Sequence, residues 1–184
     1  MAGMGASPTL LLITGPPGTG KSTMADAAAE RLEAPVLAWD WVMAGLTPFD
    51  EVQAALRALD PIRARRVGWS MLWNLAVAQL RRGRSAVLDG CARLPEIDDT
   101  RQVAADEGVT CRVVVTRCPD AAVHRARVDG RTRGIPGWYE LDWDHVAGFV
   151  ACWDEPPGAD LYLDATDPMQ TNLARLDGLL VKDL

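Results

Sequence analysis

The sequence predicts a three-layer α/β fold, a five-stranded parallel sheet covered by helices on both faces, and three observations carry that expectation. Thr9–Thr14 is apolar without alternation, the pattern of a strand buried on both faces. A glycine-rich turn follows it and runs directly into helical periodicity. Beyond that, four more short strand-like runs alternate with helix-like segments, with no internal repeat or linker. At 184 residues and 19.9 kDa the chain fits one domain, 1–184, with enough core to fold without metals or disulfides.

The elements follow in order. Lys21 to Leu32 reads as a helix, with Ala25, Ala28, Ala29 and Leu32 at helical spacing and Pro35 closing it. Val36 to Trp39 reads as the second strand, with Asp40-Trp41 at its carboxyl end. If that strand continued, Trp39 and Trp41 would face away from Asp40, whereas a turn would bring Trp41 into a pocket. Asp60-Pro61 is a helix start, and Ile62, Trp69, Leu72, Trp73, Ala76 and Leu80 recur at three- and four-residue steps until Arg81-Arg82-Gly83 ends the helix. Ser85–Leu88 is a third strand ending in Asp89-Gly90, Pro95–Glu107 a helix, Thr110–Thr116 a fourth strand and Asp120–Val128 a helix. Residues 129–144, rich in Arg, Gly and Pro, read as a mobile loop. A weak helix at His145–Trp153, a fifth strand at Ala159–Leu163 and an amphipathic helix at Pro168–Val181 complete the layout. Ligands in such sheets bind beyond the carboxyl ends of the strands, so the chemistry is expected just after Thr14, Trp39, Leu88, Thr116 and Leu163.

Composition narrows the partners. A net charge of −6 lacks the field that gathers nucleic acid or an anionic membrane, so neither is expected. The first 20 residues carry no charge, but without a basic start and broken by glycine and proline they read as neither a signal peptide nor a span. Cys91, Cys111, Cys118 and Cys152 form no close pair and read as reduced, mostly buried thiols of a cytoplasmic protein. With only His124 and His145 available, a zinc site is not expected. A homodimer is compatible with the sequence but nothing in it demands one.

The chemistry-bearing motif is Gly15-Pro16-Pro17-Gly18-Thr19-Gly20-Lys21-Ser22, followed by Thr23, which matches G-x-x-x-x-G-K-S/T between a strand and a helix start. Such a P-loop folds its backbone N–H groups around an anion at the positive end of the helix. Lys21 would bridge the β- and γ-phosphates of a nucleotide, ATP in the present reading, and Ser22 would ligate Mg²⁺. Seventeen of the 19 basic residues are Arg; one of the two lysines stands in this motif, and the other is Lys182. Asp89, at the end of the third strand, suits the acidic residue that steadies the magnesium shell.

With these residues the chain resembles the adenylate-kinase-like branch of P-loop kinases, which implies a P-loop NTPase fold with a short lid. Val87-Leu88-Asp89-Gly90-Cys91-Ala92-Arg93 is similar to the family's D-G-x-P-R stretch, with Ala92 in place of the proline. The resemblance implies that Asp89 orders the magnesium shell and that Arg93 meets the acceptor. Val123 to Arg131 is similar to the R-x-x-x-R helix end that opens the family's lid, here Arg127 and Arg131 with Arg125 and Arg133 flanking. Folded over the phosphates, those guanidinium groups would stabilise developing charge and exclude water, with Arg125 on the nucleotide. In small-molecule kinases of this branch, such as chloramphenicol phosphotransferases, gluconate kinases and zeta-toxin-like kinases, an Asp after the second strand faces the acceptor hydroxyl. Asp40 occupies that place and would orient or deprotonate the hydroxyl. Leu161–Thr166 is similar to the strand and loop that contact adenine.

Seven Trp against two Phe and two Tyr suggest an aromatic acceptor pocket: Trp69 and Trp73 on the long helix, with Trp39, Trp41, Trp138 and Trp143 near the active edge, are its candidate lining, Trp41 and Trp69 foremost, with core packing as the alternative and the reading for Trp153. Arg63, Arg65 and Arg66 either bind an anionic acceptor or form a solvated face. The expected activity is therefore ATP- and Mg²⁺-dependent phosphoryl transfer to a hydroxyl of a small-molecule acceptor. A nucleoside or nucleotide kinase and a non-transferring NTP-binding switch are the rivals. A GTPase is disfavoured by the lack of N-K-x-D, and a ring ATPase by the lack of a separate helical lid domain.

Overall fold

The computed structural model of the chain describes residues 7–181, so Lys182 and the first six residues of the uncharged start lie outside the described residues. Five strands, β1 (Thr9–Thr14), β2 (Val36–Ala38), β3 (Ala86–Asp89), β4 (Thr110–Arg117) and β5 (Leu161–Asp164), form one parallel sheet in the order β2-β3-β1-β4-β5. Among the described residues eight helices connect and cover them: α1 (Lys21–Leu32), α2 (Trp39–Ala44), α3 (Asp50–Ala58), α4 (Pro61–Leu80), α5 (Leu94–Asp106), α6 (Ala121–Asp129), α7 (Trp143–Ala151) and α8 (Met169–Leu180).

β1 has no exposed face, as its unbroken apolar run requires. Leu10 and Leu12 turn toward Trp69, Leu72, Trp73 and Ala76 of α4 and Ile97 and Ala104 of α5. Leu11 and Ile13 turn the other way, into Met24, Ala25 and Ala28 of α1 and Leu176 and Leu180 of α8. Three layers result, with β1 at the centre of the sheet. Register aligns the carboxyl ends: Ile13 lies beside Asp89, and Asp89 beside Ala38. The residues that follow, Gly15, Gly90 and Asp40, are thereby delivered to one edge.

Local chemistry explains the boundaries. Asp60 caps α4 by accepting from the Ile62 and Arg63 N–H groups at 3.1 and 3.0 Å, with Pro61 in the first turn. Gly83 takes φ +71 just after that helix, where a side chain would be strained.

Three expectations are corrected. β2 stops at Ala38 and α2 begins at Trp39, so Asp40 stands in the first turn of a helix and not beyond a strand. α3 was not foreseen, and it has no buried residue, so no core pattern marks it. The thiols are free, but Cys152 is exposed and the other three are only partly buried. Among the described residues no helix is long and apolar enough to cross a membrane, and no cluster of His, Cys, Asp and Glu could hold a metal by itself.

Candidate functional site

The loop between β1 and α1 is shaped by glycines that have no substitute. Gly15 has φ +143, and a Cβ there would sit 2.1 Å from the Thr116 carbonyl oxygen, so the loop leaves β1 hard against the end of β4. Pro17-Gly18 forms a turn with Gly18 at φ +85, and Gly20 at φ +91 opens α1. No side chain caps that helix start and its first turn holds no acidic residue, which leaves its N–H groups for an external anion.

Internal hydrogen bonds hold the loop in shape. The Pro16 carbonyl accepts from Lys21 Nζ at 3.0 Å and from Thr19 Oγ1 at 2.7 Å. Thr19 Oγ1 also meets Thr116 Oγ1 at 2.6 Å, tying the loop to β4. Thr14 Oγ1 donates to the Ala92 carbonyl at 2.9 Å, tying the end of β1 to the chain that follows β3. On the outer side, buried His124 of α6 donates from Nε2 to the Pro17 carbonyl at 2.7 Å.

Beside the loop the acidic groups converge. Asp89 is only 7% exposed, and burial pushes its carboxyl above the ordinary range. The Lys21 charge and a hydrogen bond from Ser22 pull the other way, Asp40 adds repulsion and Arg131 adds attraction. A buried carboxylate joined to a hydroxyl, with a second carboxylate nearby, is a hard-oxygen set that fits Mg²⁺. Ser22 and Asp89 are the residues that would hold it. Cys91 lies in the same centre, close to Lys21 and both carboxylates, and burial pushes its thiol up.

Asp40 is held from the segment between α6 and α7. Its Oδ2 lies 2.7 Å from Nη1 of Arg133, whose side chain is 5% exposed. The same guanidinium reaches Glu140 at 3.4 Å and donates to the Tyr139 carbonyl. Glu140 also accepts from the Arg133 and Gly134 N–H groups, and these bonds hold its carboxyl below the usual range. Trp39 packs edge-on to Trp138 at 6.1 Å, and Trp138 tilts against Tyr139 at 5.0 Å.

Other predicted residues divide. Arg131 lines a small open cleft with Pro17, Gly18 and Arg133, facing the loop. Arg127 donates to the Ala165 carbonyl at 2.6 Å and lines a second cleft with Thr19, Gly20, Thr116 and Asn172. Thr23 is exposed in the first turn of α1. Trp41 is 57% exposed on α2. Arg93 lies over the Phe149 ring at 5.6 Å, its backbone N–H bound to Glu96. Arg125 is paired at 3.4 Å with Asp129 on the exposed side of α6 and lines neither cleft. Trp69 is corrected outright: it is 1% exposed, packed against Trp73 and under Gly90, and cannot touch an acceptor. The α4 arginines are spent on carboxylates, Arg63 on Asp60, Arg65 on Glu96 and Arg66 on Asp99. Arg133 and His124, which the structure brings to the centre, were not singled out as site residues. Arg133 had a faint signal as a flank of the arginine run, and His124 had none.

Comparison with known proteins now places the chain. A family model described as "AAA domain" matches residues 10–136, from β1 through the loop, both carboxylates and Arg133. The chain belongs to this AAA-domain family. No curated protein matches it. Solved structures share its fold: a gluconokinase from Sinorhizobium meliloti at 17% identity and TM-score 0.69, covering 97% of this chain and 95% of the other. The APS kinase of Mycobacterium tuberculosis, solved with AMPPNP and APS, has 19% identity, TM-score 0.65 and coverage of 96% and 99%. A shikimate kinase from Bacteroides thetaiotaomicron has 16% identity, TM-score 0.63 and coverage of 96% and 99%. This member of the AAA-domain family therefore has the fold of small P-loop kinases.

Proposed function

We propose that the protein is an ATP- and Mg²⁺-dependent phosphotransferase that moves the γ-phosphoryl group to a hydroxyl of a small-molecule acceptor. One observation carries the reading: the glycine loop with Lys21, the buried carboxylate Asp89 and the Arg133-held carboxylate Asp40 are all delivered to one edge of the sheet. That is the charge pattern a polyphosphate with a cation needs on one side and a nucleophile needs on the other. The gluconokinase, APS kinase and shikimate kinase folds support it as neighbours.

In this mechanism the loop N–H groups and the start of α1 hold the β-phosphate, and Lys21 leaves the Pro16 carbonyl to bridge the β- and γ-phosphates. Ser22 and Asp89 would hold Mg²⁺, which when bound would supply charge neutralisation to the phosphates. Residues 129–144 act as a lid that brings Arg131 over the phosphates, while Arg127 and the loop after β5 flank the base. Arg133 grips Oδ2 of Asp40. Oδ1 is left to accept the acceptor proton as the acceptor oxygen bonds to the γ-phosphorus and the bond to ADP breaks. In this reading Trp41 and Arg93 would contact the acceptor.

The test is a screen of the protein with ATP and Mg²⁺ against pools of sugars, nucleosides and antibiotics. Mass spectrometry should find a product heavier by one phosphoryl unit, about 80 Da for this reaction class. ATP consumption without any phosphorylated product would replace the reading with an NTPase switch.

A further inference from the structure

His124 is a buried titratable group that the proposed mechanism does not use. It is 2% exposed, on the inner side of α6, with its ring edge-on to Trp143 at a centroid distance of 5.4 Å. Trp143 is the first residue of α7, so the two helices that bracket the proposed lid meet at this ring. Its Nε2 reaches across the chain to the glycine loop, at the Pro17 carbonyl, 2.7 Å away.

The choice of carbonyl matters. With Pro at the second position and Gly at φ +85 in the third, the Pro17-Gly18 turn has the features of type II. Type II and type I turns differ by a flip of the peptide between those two residues, and glycine permits both. Because a trans peptide sets its N–H opposite its C=O, the flip decides what the loop presents to an anion. With the carbonyl held outward by α6, the Gly18 N–H points into the loop; flipped, a carbonyl dipole would oppose the phosphate. Gly18 is also the contact point itself, since a Cβ there would lie 3.1 Å from His124 Nε2 and 2.7 Å from Val128 Cγ2.

We infer that His124 is a positioning residue for polyphosphate binding: its Nε2–H fixes the Pro17-Gly18 peptide in the anion-binding orientation and links it, through Trp143, to the lid. The inference rests on the nucleotide reading of the loop and not on the identity of the acceptor.

The experiment is a binding titration of ATP and of AMP to wild type, His124→Met and His124→Gln. Methionine keeps the apolar volume without a donor, and the glutamine amide places an N–H near the position of Nε2. His124→Met should weaken ATP by about three- to tenfold, the worth of one hydrogen bond, and leave AMP, which has no β-phosphate, unchanged. His124→Gln should restore ATP to within about twofold of wild type. Equal loss of both nucleotides, or a glutamine variant as weak as the methionine one, would overturn the inference. If neither variant folds, nitrogen NMR of the wild-type imidazole decides: Nε2 should carry the proton and Nδ1 should not, and the opposite tautomer would overturn it. Wild-type protein that binds no ATP would remove the nucleotide reading itself, an outcome distinct from a silent His124→Met.

Discussion

Trp69→Ala separates the core from the acceptor site. The indole is 1% exposed, so nearly all of its surface is withdrawn from water, and the Gly90 Cα hydrogen side packs on its ring where even a Cβ would come to 3.0 Å. A buried aromatic hides about 150–250 Å², which at about 25 cal/mol/Å² is worth roughly 4–6 kcal/mol. Measured truncations of Phe and Trp cost about 3–5 kcal/mol, cavity included. About 4 kcal/mol satisfies both, a large part of the roughly 5–15 kcal/mol that holds a domain together. For a chain of this size the melting temperature should fall by about 8–16 °C. Urea unfolding followed by circular dichroism measures the loss, and ATP titration well below the melting point should find affinity near that of wild type. A loss below about 1.5 kcal/mol, with normal folding and weakened acceptor binding, would refute the packing argument and return Trp69 to the pocket.

Other perturbations probe the loop, the buried carboxylate and the clasp on Asp40. Gly15→Ala should abolish ATP binding or folding, because its Cβ has no room beside Thr116 at φ +143; a folded variant that binds ATP normally would contradict the loop geometry. Burial raises the Asp89 carboxyl, so the folded state favours its protonated form, and the stability it contributes is present at low pH and lost as pH rises through the elevated value. Asp89→Asn, without divalent ions, should therefore raise the melting temperature at about pH 8, the gain vanishing near the ordinary carboxyl value of about 4. A gain that is constant with pH would point to another cause. Arg133→Met should cut transfer by about tenfold or more while leaving ATP affinity within about threefold, as read by separate turnover and binding assays. Arg133→Lys should recover only part of the transfer, since an ammonium cannot serve Asp40 and Glu140 with the same planar fork.

How far the sequence discloses the molecule depends on whether a feature is local. β1, the glycine turn and α1 are legible because burial on both faces, positive φ and helix periodicity each leave a residue signature within a few positions. The Asp60-Pro61 cap is legible for the same reason. α3 is not, because a helix with no buried residue has no core stripe to betray it. Trp69 carried two readings, and the stripe it shares with Leu72, Trp73 and Ala76 was the better guide than its aromatic character. Arg125 and Arg127 differ by two positions, about 200° around a helix, so a run of arginines cannot all face one site. The Arg125 partner, Asp129, stood four residues ahead in the sequence. His124 with Pro17 and Arg133 with Asp40 meet across 107 and 93 residues, and no local pattern encodes such contacts.

The central claim is that the loop and Asp40 together transfer a phosphoryl group rather than merely bind a nucleotide. Its most direct test follows γ-labelled ATP through wild type, Lys21→Met and Asp40→Asn in the presence of the unphosphorylated form of an acceptor that the screen shows to be a substrate. Label should move to the acceptor in wild type, be lost with ATP binding in Lys21→Met, and stay on bound ATP in Asp40→Asn. Label released only as inorganic phosphate by wild type, or full transfer by Asp40→Asn, would contradict the account.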